Sequence, residues 1–94
     1  MHAVVRRYQV GSRVIDEVIQ RRSDVEQLLR GVPGFIAYYA VKTDDGGMTI
    51  TICEDQAGTA ESVRVAAEWV RQNVQGAGSP PEVTEGEVGL HFAQ

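Results

Sequence analysis

Apolar and polar positions along the chain alternate, then recur at helical spacing, and then repeat that order. His2 to Gln9 mixes β-branched and polar residues without Gly or Pro, which predicts a first strand. Gly11-Ser12 ends it. Ser12 is placed to cap a helix, and Asp16 and Glu17 suit its positive end. Val14, Val18, Val25, Leu28 and Leu29 form that helix's apolar stripe, and Gly31 and Pro33 stop it. Phe35 to Val41 reads as an aromatic strand that starts directly after Gly31-Val32-Pro33-Gly34. Met48 to Cys53 reads as its hairpin partner across Thr43-Asp44-Asp45-Gly46-Gly47, with Asp45-Gly46 as the central residues of a tight turn.

The second half repeats the plan. Asp55 caps a helix whose apolar positions are Ala57, Ala60, Val63, Ala67, Val70 and Val74. Gln75 to Glu85, with Gly76, Gly78, Pro80 and Pro81, predicts a loop, and Gly86 to Phe92 a last strand. The order βαββαβ predicts an α+β, ferredoxin-like domain over residues 1–94. Its four-stranded antiparallel sheet carries two helices on one face.

The turn pairs Val41 with Ile50 and Tyr39 with Ile52, and groups Phe35, Ala37, Tyr39 and Val41 with Met48, Ile50 and Ile52. Tyr39, Ile50, Ile52, Val88, Leu90, Ala3 and Val5 are then expected beneath the helices. The opposite face mixes Val4, Ile36, Tyr38, Ala40 and Cys53 with Arg6, Tyr8, Thr49, Thr51 and His91. An apolar patch of that extent on a small domain predicts an interface or a pocket, and a second copy of the chain would cover it.

The junction Val32-Pro33-Gly34-Phe35, the handover Ile52-Cys53-Glu54-Asp55-Gln56 and the helix through Ala66-Ala67-Glu68-Trp69-Val70 resemble the dimeric α+β barrel superfamily. Within it, they are similar to the small antibiotic biosynthesis monooxygenase-like proteins. The resemblance implies a homodimer through the open sheet face, forming a dimeric α+β barrel. It also implies a cofactor-independent monooxygenase-like enzyme acting on a small aromatic or polyketide-like molecule. The alternative is a non-enzymatic small-molecule-binding or stress-related homodimer. Fold alone does not choose between them.

Composition narrows the partners. The net charge is −4, which opposes nucleic-acid binding. No apolar run is long enough to span a membrane, and no apolar stretch follows Arg6-Arg7, so the cytoplasm is the expected compartment. Two His and one Cys without close spacing predict no metal and no cofactor. Haem-degrading members of the superfamily carry an Asn on the first strand and a ligating His on the second helix. This chain has Tyr8-Gln9 and no His at those places.

His91, Arg6 and Tyr8 are the candidate catalytic residues: a His or Tyr to assist proton transfer, an Arg to stabilise an oxyanion. Tyr38, Thr51 and Cys53 are the candidate substrate-binding residues. By residue type alone Cys53 reads first as a buried inert thiol, and Trp69 as a packing or dimer-rim aromatic.

Overall fold

The computed structural model describes residues 1–94. Its elements are β1 (His2–Gln9), α1 (Val14–Gln20), α2 (Arg22–Arg30), β2 (Phe35–Thr43), β3 (Gly46–Cys53), α3 (Gln56–Asn73) and β4 (Glu82–Glu87). The strands form one antiparallel sheet in the order β2-β3-β1-β4, with the helices on one side, the α+β ferredoxin-like plan. No helix is long and apolar enough to cross a membrane.

Three helices stand where two are predicted, because the first breaks at Arg21, whose ψ of 42° leaves the helical region. Neither Gly nor Pro lies near the break, and the stripe of Val14, Val18, Val25 and Leu29 continues across it. The left-handed glycine of the following turn is Gly34, with φ of 74°. Gly31 is right-handed, with φ of −80°. Gly34 O then accepts Glu54 N at 2.8 Å, tying the junction to the end of β3.

The hairpin pairs Thr43 with Gly46, so Asp44-Asp45 are central, and Tyr39 faces Ile50 and Val41 faces Met48. No non-glycine residue has a positive φ, which excludes a type I′ turn. The two-residue change in register preserves parity: Ala37, Tyr39 and Val41 still share a face with Met48, Ile50 and Ile52. A bulge at Ile36 moves Phe35 to the other face, where it packs on the core.

That shared face is the uncovered one, the reverse of the expectation from hydrophobicity. The helices cover Val4, Arg6, Tyr8, Thr49, Thr51 and Cys53, none more than 7% exposed. On the far side Ala3, Val5, Ala37, Met48, Ile50 and Ile52 are half-buried in the single chain, and Tyr39 and Val41 are exposed.

Helix α3 explains the reversal. It turns Gly58, Thr59, Ser62 and Ala66 to the sheet, while the predicted Ala57, Ala60 and Ala67 face outward. The buried hydroxyls are satisfied locally. Thr59 Oγ1 donates to Gln56 O at 3.0 Å and Ser62 Oγ to Thr59 O at 2.7 Å. Asp55 caps the helix, accepting Gly58 N at 3.0 Å. A small, hydrogen-bonded helix face thus matches a small, threonine-rich sheet face.

The last strand is Glu82–Glu87 and not Gly86–Phe92. It is defined by backbone pairing with β1, from Arg7 opposite Glu82 to His2 opposite Glu87, and every one of its residues is exposed. Leu90, His91 and Phe92 therefore lie beyond the sheet.

Helix α3 lies tight against the end of β3 at Gly58, where an added Cβ would meet Pro33 O at 2.7 Å and Cys53 Cβ at 2.8 Å. Gly58→Ala is expected to cost about 1–3 kcal/mol and to lower Tm by at least ~4 °C. Gly86→Ala, with nothing within 4 Å, is expected to stay near wild type. Calorimetry of the two variants checks this.

Candidate functional site

The helix-covered face brings Arg6, Tyr8, Tyr38 and Thr49 together, because β1 and β2 flank β3 and their parity points all four the same way. Arg6 is 4% exposed. Its Nε donates to Thr49 Oγ1 at 3.1 Å, the Tyr38 hydroxyl lies beside that pair, and no carboxylate forms an ion pair with it. An uncompensated guanidinium under a helix layer is costly, and such groups are normally paired. Burial pushes the Tyr8 and Tyr38 phenols above their ordinary value, against the pull of the Arg6 charge. At neutral pH both are hydrogen-bond donors and not bases.

Above this cluster lies a cavity of about 20 Å³ roofed by Val18, Val25, Leu29, Ala66, Trp69 and Val70. It has room for about one water molecule. Two surface grooves flank it. One, of about 510 Å³, lies between α3, the Ala77–Pro81 loop and β1, and has Arg6 and Tyr8 in its wall with Val14, Val63, Ala67 and Val70. The other, of about 480 Å³, lies between α1–α2 and β2 and includes Tyr38, Phe35 and Leu29. Trp69, expected as a packing or dimer-rim aromatic, packs against the core and roofs the central cavity.

The remaining predicted site residues fall elsewhere. His91 follows β4 past the His2 end of β1, at the opposite end of that strand from Tyr8, and is exposed. Its placement on a strand fails because the ladder ends at Val88 N to Met1 O. Thr51 is fully buried beside Val4 and Tyr38, outside the grooves, and its Oγ1 has no hydrogen-bond partner. Cys53 is fully buried against Gly58, and burial raises its thiol pKa, with Asp55 adding to the effect. That is the inert environment and not a nucleophile's. His2 was not singled out by sequence. Its Nδ1 lies 2.9 Å from Thr59 Oγ1, a pairing fixed by long-range packing of β1 on α3.

No group of three or more His, Cys, Asp or Glu side chains converges to hold a metal. Haem fits poorly as well. Neither groove contains His, Cys or Met, and the buried phenols keep their protons.

No protein-family model and no curated protein matches the sequence. Solved structures do. A protein of unknown function from Nitrosomonas europaea is 17% identical, with a TM-score of 0.75, over 99% of this chain and 93% of that one. The haem degrader MhuD from Mycobacterium tuberculosis, solved as a mutant with two manganese protoporphyrin IX bound per active site, is 16% identical. Its TM-score is 0.74, over 100% of both chains. The monooxygenase ActVA-Orf6 of Streptomyces coelicolor, in complex with nanaomycin D, is 18% identical, with a TM-score of 0.63, over 99% of this chain and 91% of that one. At these identities the likeness is one of fold, shared with solved structures described as monooxygenases and as haem degraders.

The two phenols make stability depend on alkaline pH. The unfolded chain releases their protons near pH 10.0, the folded chain only above it, so their contribution is complete below pH 10 and is lost as pH rises further. Urea unfolding between pH 9 and 11.5 is expected to show stability falling above pH 10, with the fall reduced in Tyr8→Phe and in Tyr38→Phe.

Proposed function

We propose that residues 1–94 act as a cofactor-independent monooxygenase-like domain on a small aromatic or polyketide-like molecule with an acidic phenol or enol, working as a homodimer. The observation that carries this reading is Arg6, a buried guanidinium without a counter-charge in the wall of an open, largely apolar groove. It is an oxyanion site awaiting an anion. Tyr8 adds a neutral donor beside it.

The groove contains no carboxylate and no histidine. The Arg6 charge therefore acts on the substrate's own acidity. It lowers the pKa of the bound hydroxyl, and the proton leaves to water. The resulting phenolate or enolate is electron-rich at carbon and reacts with dioxygen to give a hydroperoxide. An anthrone reacts as its enol, whose O–H gives up the proton; the peroxide anion takes a proton back from water, and loss of water then leaves the ketone, so that one CH₂ and one O₂ give one C=O and one H₂O. The substrate supplies the electrons, so no reductant is needed. Tyr38, which lines the central cavity beside the Arg6–Thr49 pair, acts on the same guanidinium as a positioning residue.

Oxygen uptake with anthrone-like substrates is expected to fall at least tenfold in Arg6→Met, about 1.4 kcal/mol of barrier, while Tm holds or rises. Arg64→Met, on the outer side of α3, is expected to keep full activity. Absence of wild-type uptake across a phenolic panel, with binding retained, would replace this reading by a non-enzymatic small-molecule-binding homodimer.

The dimer reading rests on the uncovered face of Ala3, Val5, Met48, Ile50, Ile52 and Tyr39. With the faces reversed, Tyr38 lies under the helices and Tyr39 becomes the probe. Sedimentation equilibrium at micromolar concentration is expected to show a dimer that Tyr39→Asp weakens far more than Arg22→Asp. A folded, strictly monomeric wild type would overturn it.

A further inference from the structure

Helix α3 carries Val63, Ala67, Val70 and Arg71 along one face, at the spacing i, i+4, i+7 and i+8, and these four line the groove that contains Arg6. The two cations of this groove differ in setting. Arg6 is buried, and Arg71 stands at the rim with its side chain 74% exposed. No acidic side chain lines the groove. A phenolate or enolate at Arg6 therefore leaves Arg71 without an anion there.

Arg71 is held only weakly by its own helix. It meets Glu68 at 3.7 Å, and Glu68 is shared with Arg64 at 3.8 Å. An exposed, shared ion pair of that length contributes little and gives way to a better-placed anion. Arg71 also borders an adjoining groove of about 500 Å³, together with Arg13, Arg21 and Glu17. The two grooves are thus lined by four of the chain's eight arginines and one carboxylate, on a chain whose net charge is −4. Such a local excess of positive charge draws anions toward it. Glu17 lies 3.9 Å from Arg13 and 3.3 Å from Arg21, and of these three arginines only Arg71 also lines the groove of Arg6.

We infer that Arg71 selects the substrate by taking a carboxylate borne on the same aromatic molecule whose phenol or enol oxygen meets Arg6. The inference rests on the proposed reading of this groove as the substrate site and deepens it, naming the substrate class as an aromatic carboxylic acid. The ring lies on Val63, Ala67 and Val70, and the planar fork of Arg71 receives the two carboxylate oxygens in parallel. A phosphate, with close to two charges, meets a single guanidinium at the rim and is matched less well. Arg71 is a specificity residue: its loss weakens the binding of acids and leaves the chemical step unchanged.

Isothermal titration calorimetry with 6-hydroxy-2-naphthoate and with its methyl ester tests this. The two probes share their rings and phenol and differ in the carboxylate. Wild type is expected to bind the acid at least tenfold more tightly than the ester. Arg71→Gln is expected to raise the Kd of the acid at least tenfold and to leave that of the ester unchanged, which also reports that the variant folds. Arg64→Gln removes the same charge from the outer side of α3 and is expected to keep the preference for the acid. Equal affinity of wild type for both probes, or a preference for the acid that survives in Arg71→Gln, would overturn the inference. Loss of ester binding in Arg6→Met would in that case leave the reading of the Arg6 site standing. Failure of wild type to bind either probe would overturn the inference together with the substrate-site reading beneath it.

Discussion

A positive charge is held beneath the helices without a negative one, and the layer around it is built to tolerate that. Arg6 cannot be surrounded by leucine and valine alone, because desolvating a guanidinium costs several kcal/mol unless polar groups replace the water. Thr49 accepts from its Nε, and Tyr38 lies beside the pair. Next to them the sheet continues with Thr51, and α3 meets it with Thr59 and Ser62, whose hydroxyls bond to their own helix backbone. Small side chains keep α3 close to the sheet, as Gly58 against Cys53 shows. The apolar mass of the core comes from the helices that roof the layer, where Val14, Ile15, Val18, Val25 and Leu29 of α1 and α2 pack together with Tyr8.

This arrangement sets the composition of the far face. A sheet that spends its covered side on Arg6, Thr49 and Thr51 carries its larger aliphatic residues, Ile50, Ile52 and Met48, on the side the helices do not reach. A polar helix-side layer and an uncovered apolar side are two expressions of one choice of strand parity. On the proposed reading, site and dimer are coupled in the same way. The contacts that a single chain gives up by burying a charge are recovered when the opposite face is covered.

The order of elements was legible from punctuation. Val32-Pro33-Gly34 forces a helix to end and a strand to begin, and the Asp-Gly region fixes the parity of the hairpin even though its centre lies one residue earlier than expected. The choice of covered face was not legible, because ranking faces by hydrophobicity assumes that one chain's own core claims the more apolar side. Arg6, Tyr8 and Tyr38 were correctly grouped by alternation, but their surroundings depended on that choice. Glu82–Glu87 escaped notice because its pairing is carried by the backbone, while Val88, Leu90 and Phe92 carry the stronger side-chain alternation. His91 was drawn into the site by that misplaced strand. The break at Arg21 has no sequence mark.

The groove also constrains the chemistry by what surrounds Arg6. A fixed cation lowers the pKa of any hydroxyl that reaches it, and two phenols held neutral by burial can donate to the oxygen so formed. None of the three accepts a proton at neutral pH. A substrate whose C–H is weakly acidic would find no base here, whereas one whose O–H is already acidic, and whose anion delocalises charge onto carbon, needs none. The cavity directly over the cluster holds about one water molecule, so on the proposed reading a ring system approaches along the groove edge-on, with its oxygen leading toward Arg6 and its apolar body against Val63, Ala67 and Val70. On that reading, shape and charge select the same molecule, a flat acidic one, whose oxygen meets Arg6 and Tyr8 of β1 in a groove that also has Arg71 in its wall.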